Sequence, residues 1–148
     1  MLNLISRLIY RLTDAGYVCH GGRCPPSKKI VTPKDFPAAW PYSAGLLAGD
    51  MLYLSGQIGA DFKNQKAPEN FDDEMRQCLN NVGSILQAAG MDFSDVIAAQ
   101  VYLTDIDLFP RMNAVDTQAF KEPRPLPPRW AKLAGVGAHV EIMVTARK

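Results

Sequence analysis

The sequence has almost no net charge: 16 lysines and arginines against 15 aspartates and glutamates leave +1 over 148 residues. No broad basic field is present to hold nucleic acid, and no acidic field to gather cations. Cysteine is scarce. Cys19, Cys24 and Cys78 are the only three, too few for a disulfide framework. So few thiols point to a reducing compartment, and the cytoplasm is the expected location. No apolar run approaches the roughly 20 residues needed to cross a bilayer, so no membrane partner is expected. Histidine is scarcer still. His20 and His139 are the only two, and neither has an evident partner, so no Ser-His-acid arrangement is read here. Internal repeats and low-complexity segments are lacking too.

What remains is the composition of one ordinary globular domain, 47% hydrophobic and 21% charged. The first 28 residues read differently from the rest, as a flexible leader or extension. They open MLNLISRLIYRL, with Arg7 and Arg11 and no acid before Asp14. An organelle presequence, which would place the protein in an organelle matrix, has this look; so does a short amphipathic helix or an upstream extension. Cys19, His20 and Cys24 follow in a Gly/Pro-rich stretch. A complete zinc site wants four ligands, and nothing nearby supplies the fourth, so no metal is expected.

The domain proper is expected over 29–148. Pro33, Pro37 and Pro41 keep its first segment extended. Ser43–Ala48 reads as a strand, Gly49-Asp50 as a hairpin turn, and Met51–Gln57 as the returning strand. The clearest helix is predicted over Phe71–Ala89. Phe71, Met75, Cys78, Leu79, Val82, Ile85 and Leu86 fall on one stripe of a 3.6-residue repeat. Asn70 is a plausible N-cap, Asp72, Asp73 and Glu74 suit the first turn, and Gly90 is a stop. On that stripe Cys78 reads as a small core residue. Asp95–Thr104 is a buried strand, and Phe109–Phe120 a second helix with Pro110 in its first turn. Arg129–Ala134 and His139–Ala146 read as a final hairpin around Gly135-Val136-Gly137.

The pattern is β-β-α-β-α-β-β, an α+β domain with two helices packed on one face of a mixed sheet. Two helices leave the other face open, carrying Met143 and residues such as Met51 or Tyr53. A partly apolar open face implies a partner surface, and self-association is the economical answer.

Several segments, in this order, resemble one family. They are Pro41-Tyr42-Ser43-Ala44-Gly45, then Leu54-Ser55-Gly56-Gln57-Ile58, then Asn80-Asn81-Val82 with Ala88-Ala89-Gly90. Val101-Tyr102-Leu103-Thr104-Asp105, Met112-Asn113, Pro128-Arg129 and Val140-Glu141-Ile142 complete the series. Together they resemble the RidA/YjgF reactive-intermediate (imine) deaminases, from about Ile30 to Arg147. The family also bears the older labels translation initiation inhibitor and endoribonuclease L-PSP. The resemblance implies a chorismate mutase-like fold. It also implies a homotrimer with a barrel-like core, sites at the subunit interfaces, and no metal or organic cofactor. It further implies hydrolysis of 2-imino or enamine acids, such as 2-aminoacrylate and 2-iminopropanoate, to 2-oxo acids and ammonia.

By the same resemblance, the family's carboxylate-binding arginine falls on Arg129 and its water-orienting glutamate on Glu141. Its cleft tyrosine and serine fall on Tyr42 and Ser55, and its helix asparagine on Asn113. These residue types suit the chemistry. A guanidinium holds a carboxylate with two charge-assisted hydrogen bonds and so fixes the neighbouring C=N carbon. A carboxylate within reach can then position and deprotonate water. Each residue also has a plainer reading. Arg129 could be a surface arginine, and Glu141 one half of an interface salt bridge, since on an alternating strand it faces away from the helices. Tyr42 and Asn113 could be structural, Ser55 a turn residue, and His139 an exposed residue at a hairpin end.

The sequence departs from the family at Ala131, where well-studied deaminases carry cysteine, and at Met143, where the strand's second glutamate is lost. The segment from Arg129 to Glu141 is also about three residues shorter, and an odd deletion flips strand faces unless a bulge or loop compensates. A four-residue loop at Gly135–Ala138 would put Glu141 on the face opposite Arg129; a three- or five-residue loop would restore a common face. Beside hydrolysis stand two other functions. One is a non-catalytic small-carboxylate binder that keeps Arg129. The other is RNA cleavage or translation inhibition, against which the near-neutral charge and the lack of an aromatic-basic face argue.

Overall fold

The computed structural model describes residues 27–37, 41–121, 128–133 and 137–148. Cys19, His20 and Cys24 lie outside the described residues. The elements are β1 (Lys28–Val31), β2 (Gly45–Ala48), β3 (Met51–Leu54), β4 (Gln57–Ile58), α1 (Phe71–Ala88), β5 (Val96–Leu103), α2 (Phe109–Ala119), β6 (Pro128–Trp130) and β7 (Val140–Arg147). The strands join in one sheet of order β1-β2-β3-β7-β5-β6, with β4 paired to β7. The expected mixed α+β architecture with two helices on one face holds, and most pairings are antiparallel.

Helix α1 begins where its cap begins. The Asn70 side chain accepts from the amides of Asp72 and Asp73 at 2.9 and 3.4 Å, and three acids complement the dipole in the first turn. It ends at Gly90, whose φ of +70° only glycine adopts without strain. The apolar stripe, including fully buried Met75, Cys78, Val82, Ile85 and Leu86, lies on the sheet beside Met112 and Val115 of α2. From the sheet, Leu52, Leu54, Val101, Leu103, Val140, Ile142, Val144 and Ala146 meet it. Cys78 is a core residue; its thiol donates to the Gln57 carbonyl at 3.0 Å, and burial pushes its pKa far up. Among the described residues no helix is long and apolar enough to cross a membrane.

The other face alternates as the pleat requires. β7 reads buried, half-buried, buried, exposed from Val140 onward, so Glu141, Met143 and Thr145 point away from the helices. Tyr53 and Met143 are 49% and 37% exposed there, and Met51 is half-buried.

One expectation fails. β6 and β7 do not form a hairpin. β6 runs parallel to β5, with Tyr102 opposite Arg129, and β7 pairs antiparallel with the other edge of β5. The reason is topological: α2 carries the chain from the end of β5 back to a strand beside it, a β-α-β unit, and such units make parallel neighbours. The length of the loop before β7 therefore does not decide which face Glu141 takes; its pairing with β5 does. Two further refinements concern the leading strands. The first proline-rich segment opens with β1, paired to β2. The strand expected over Met51–Gln57 is broken between β3 and β4. Tyr53 faces Thr145 and Gln57 faces Ile142, so four steps on one strand oppose three on β7. That single extra residue is a bulge, at Leu54–Gly56.

Candidate functional site

The pairings bring three side chains into line. On β5, Tyr102 faces Glu141 of β7 on one side and Arg129 of β6 on the other. Paired residues share a face, so all three stand on the helix-free side of the sheet. Arg129 and Glu141 are two strand spacings apart, about 10 Å between Cα atoms, with Tyr102 between them. Arg129 is exposed; Tyr102 and Glu141 are half-buried. The Tyr102 hydroxyl donates to Oε1 of Gln100 at 3.0 Å, which lays its ring along the strand.

Glu141 owes its setting to the bulge. A Cβ at Gly56 would overlap its carboxylate, so the bare glycine is what admits it. Burial there raises the Glu141 carboxyl above the ordinary range. Tyr42 stands close enough to feel that charge. Its phenol is raised first by burial and then by the Glu141 carboxylate, which keeps it a neutral hydrogen-bond donor.

Ser55 has a different task. Its hydroxyl donates to the Ala44 carbonyl at 3.0 Å and accepts from Gln57 Nε2 at 3.2 Å. It therefore ties β2 to the bulge, and only a remaining lone pair is left for a ligand. Gln57, 2% exposed, also donates to the carbonyls of Ser55 and Gly56. This buried carboxamide staples the bulge beneath Glu141. Asn113 lies half-buried in α2, in the helix layer on the opposite side of the sheet. Within one protomer it is not brought together with Arg129 and Glu141.

Tyr102, Gly56 and Gln57 belong to the site by geometry, yet residue type alone did not single them out. Gly56-Gln57 beside a strand end was the available signal for a bulge. Among the described residues no group of three His, Cys, Asp or Glu side chains is placed to hold a metal ion. The open groove between α1 and α2, lined by Leu79, Gly83, Phe93 and Val115, has Arg76 as its only ionisable side chain, so it offers no comparable chemistry.

The family model described as Endoribonuclease L-PSP matches residues 32–148. The 2-iminobutanoate/2-iminopropanoate deaminase of Bos taurus is 41% identical over 100 residues, covering 66% of this chain and 73% of the relative. The protein of that name from Homo sapiens is 37% identical over 119 residues, covering 79% and 87%. Among solved structures, E. coli TdcF with bound serine superposes with a TM-score of 0.76 at 29% identity. It covers 81% of this chain and 98% of that one.

Proposed function

The chain belongs to the endoribonuclease L-PSP (YjgF/RidA) family, and from that premise we propose that it hydrolyses small 2-imino acids to 2-oxo acids and ammonia. The observation that carries this reading is the common sheet face of Arg129 and Glu141, one strand either side of Tyr102.

Arg129 takes the substrate carboxylate in its planar fork, and the imine carbon then lies over Tyr102. Glu141, ionised, accepts a proton from water as the water oxygen bonds to that carbon. The substrate reacts as the protonated iminium, so the C=N π pair moves to nitrogen and gives a carbinolamine with a neutral NH2 group. The proton held by Glu141 then passes to that nitrogen, the C–N bond breaks and ammonia leaves, and the freed Glu141 carboxylate takes the hydroxyl proton as the oxygen forms the carbonyl. A raised carboxyl pKa suits a group that must both take and return a proton near neutrality. An enamine such as 2-aminoacrylate enters after tautomerising to the imine. Tyr42 donates to the carbinolamine oxygen. No step calls for a redox change.

In one protomer these side chains stand on an open sheet face. The exposed Tyr53 and Met143 share it, so a second copy of the chain is the surface that would cover it and wall the site. The homotrimer expected from the family is the assembly that does so.

The test generates 2-aminoacrylate in situ and follows 2-oxo acid release. The expected result is release faster than the spontaneous rate, in proportion to protein added. Equal rates with and without protein would refute the hydrolytic reading; tight 2-oxo acid binding alongside equal rates would make the protein a carboxylate binder.

A further inference from the structure

Glu74 is the one fully buried carboxylate among the described residues, and the hydrolytic chemistry does not use it directly. It sits in the first turn of α1 and reaches the start of β7. Its Oε1 accepts from the backbone amides of His139 and Val140, at 2.6 and 3.2 Å. Its Oε2 pairs with Nδ1 of His139 at 2.8 Å. These amides lie where the chain has lost its neighbour on the β4 edge, while Val140 still pairs with Leu103 of β5. Strand β4 ends at Ile58, whose partner is Glu141. Beyond that point the carboxylate receives amides that no strand receives.

The chain leaving β4 passes directly against Glu74. A Cβ at Gly59 would overlap the Glu74 carbonyl and Cγ, so only glycine permits this approach. On the other side, the His139 carbonyl accepts from the Thr104 amide at 3.0 Å, at the end of β5. His139 is thus strapped from both edges, two residues before Glu141.

Burying a carboxylate is a poor way to gain stability, because desolvation offsets the attraction of its partners. Such groups do fix geometry, since their hydrogen bonds are directional and costly to leave unmade. We propose that Glu74, through its bonds to the amides of His139 and Val140 and to the His139 imidazole, is a positioning residue for Glu141. It would set the height and aim of the Glu141 carboxylate over the sheet face. This inference rests on the hydrolytic reading. It also explains why the shortened segment before β7 is compatible with a placed glutamate: the anchor comes from α1, not from a hairpin.

Steady-state kinetics on imines generated in situ, normalised to folded protein by circular dichroism, test it with three variants. Glu74→Gln keeps an oxygen for both amides and an NH2 for the imidazole; its kcat is expected within about threefold of wild type. Glu74→Leu leaves the amides unpaired; its kcat is expected to fall about 100-fold with KM unchanged, because a misplaced base spares carboxylate binding at Arg129. His139→Ala, at a half-exposed side chain that folding tolerates, is expected to lower kcat roughly 3- to 10-fold at unchanged KM. An undiminished kcat in both Glu74→Leu and His139→Ala overturns the role, and so does a Glu74→Gln loss as deep as that of leucine. If Glu74→Leu does not fold, the other two variants decide by the same criteria. A wild-type protein inert toward imines overturns the hydrolytic reading and this role with it. An active wild type with fully active variants overturns the role alone.

Discussion

Arg129→Ala is expected to lower kcat/KM for small 2-imino acids by two to three orders of magnitude, a loss of roughly 3–4 kcal/mol for a two-pronged, charge-assisted contact. The guanidinium acts at the ground state by holding the carboxylate and at the transition state by keeping the imine carbon in place. Both KM and kcat should therefore suffer. Arg129→Lys should restore only part of the loss, because an ammonium lacks the planar fork. The fold should scarcely notice. The side chain is exposed, and surface substitutions of this kind stay within about 0.5 kcal/mol. A melting temperature near wild type beside a collapsed kcat/KM is the expected signature. Retained turnover would move carboxylate binding to another residue.

Glu141→Gln separates catalysis from stability in the opposite sense. Without a base to take the water proton, kcat is expected to fall about 10²- to 10⁴-fold. Stability is expected to rise at neutral pH. Burial raises the Glu141 carboxyl in the folded state, so the folded protein holds that proton more tightly than the unfolded chain does. Below the ordinary carboxylate pKa both states are protonated and the group is neutral toward folding. As pH climbs from there through the raised folded pKa, ionisation costs the native state stability. Glutamine removes that cost. The wild-type activity should lose its acid limb at a pH above the ordinary carboxylate range, since the base works only when ionised. Thermal melts across pH, read beside kcat profiles, check both halves. A glutamine variant less stable than wild type at pH 7 would show the carboxylate to be structural.

Local signals were legible and non-local ones were not. The stripe on α1, the Asn70 cap, the Gly90 stop and the outward direction of Glu141 follow from periodicity and short-range chemistry. The pairing of β6 did not. A strand of three residues, Pro128–Trp130, carries too little pattern to choose a neighbour, and the loop before β7 suggested a hairpin. The parallel partner is chosen by the α2 crossover, a property of the whole β5-α2-β6 unit. That single difference decides whether Arg129 and Glu141 share a face. The bulge at Leu54–Gly56 was hidden for a related reason: it exists only relative to β7. His139 read as an exposed residue without a partner, yet its partner, Glu74, lies 65 residues earlier. Asn113 matched the family pattern in sequence; α2 holds it in the helix layer, away from Arg129 and Glu141 of the same protomer.

The most direct test is a crystal structure with a bound 2-oxo acid, the product and a close mimic of the imine. The expected complex has the ligand carboxylate paired with the Arg129 guanidinium, the keto carbon over Tyr102, and Glu141 or its water facing that carbon. A ligand seated elsewhere, with Arg129 turned to solvent and Glu141 bridging only to protein, would contradict the account.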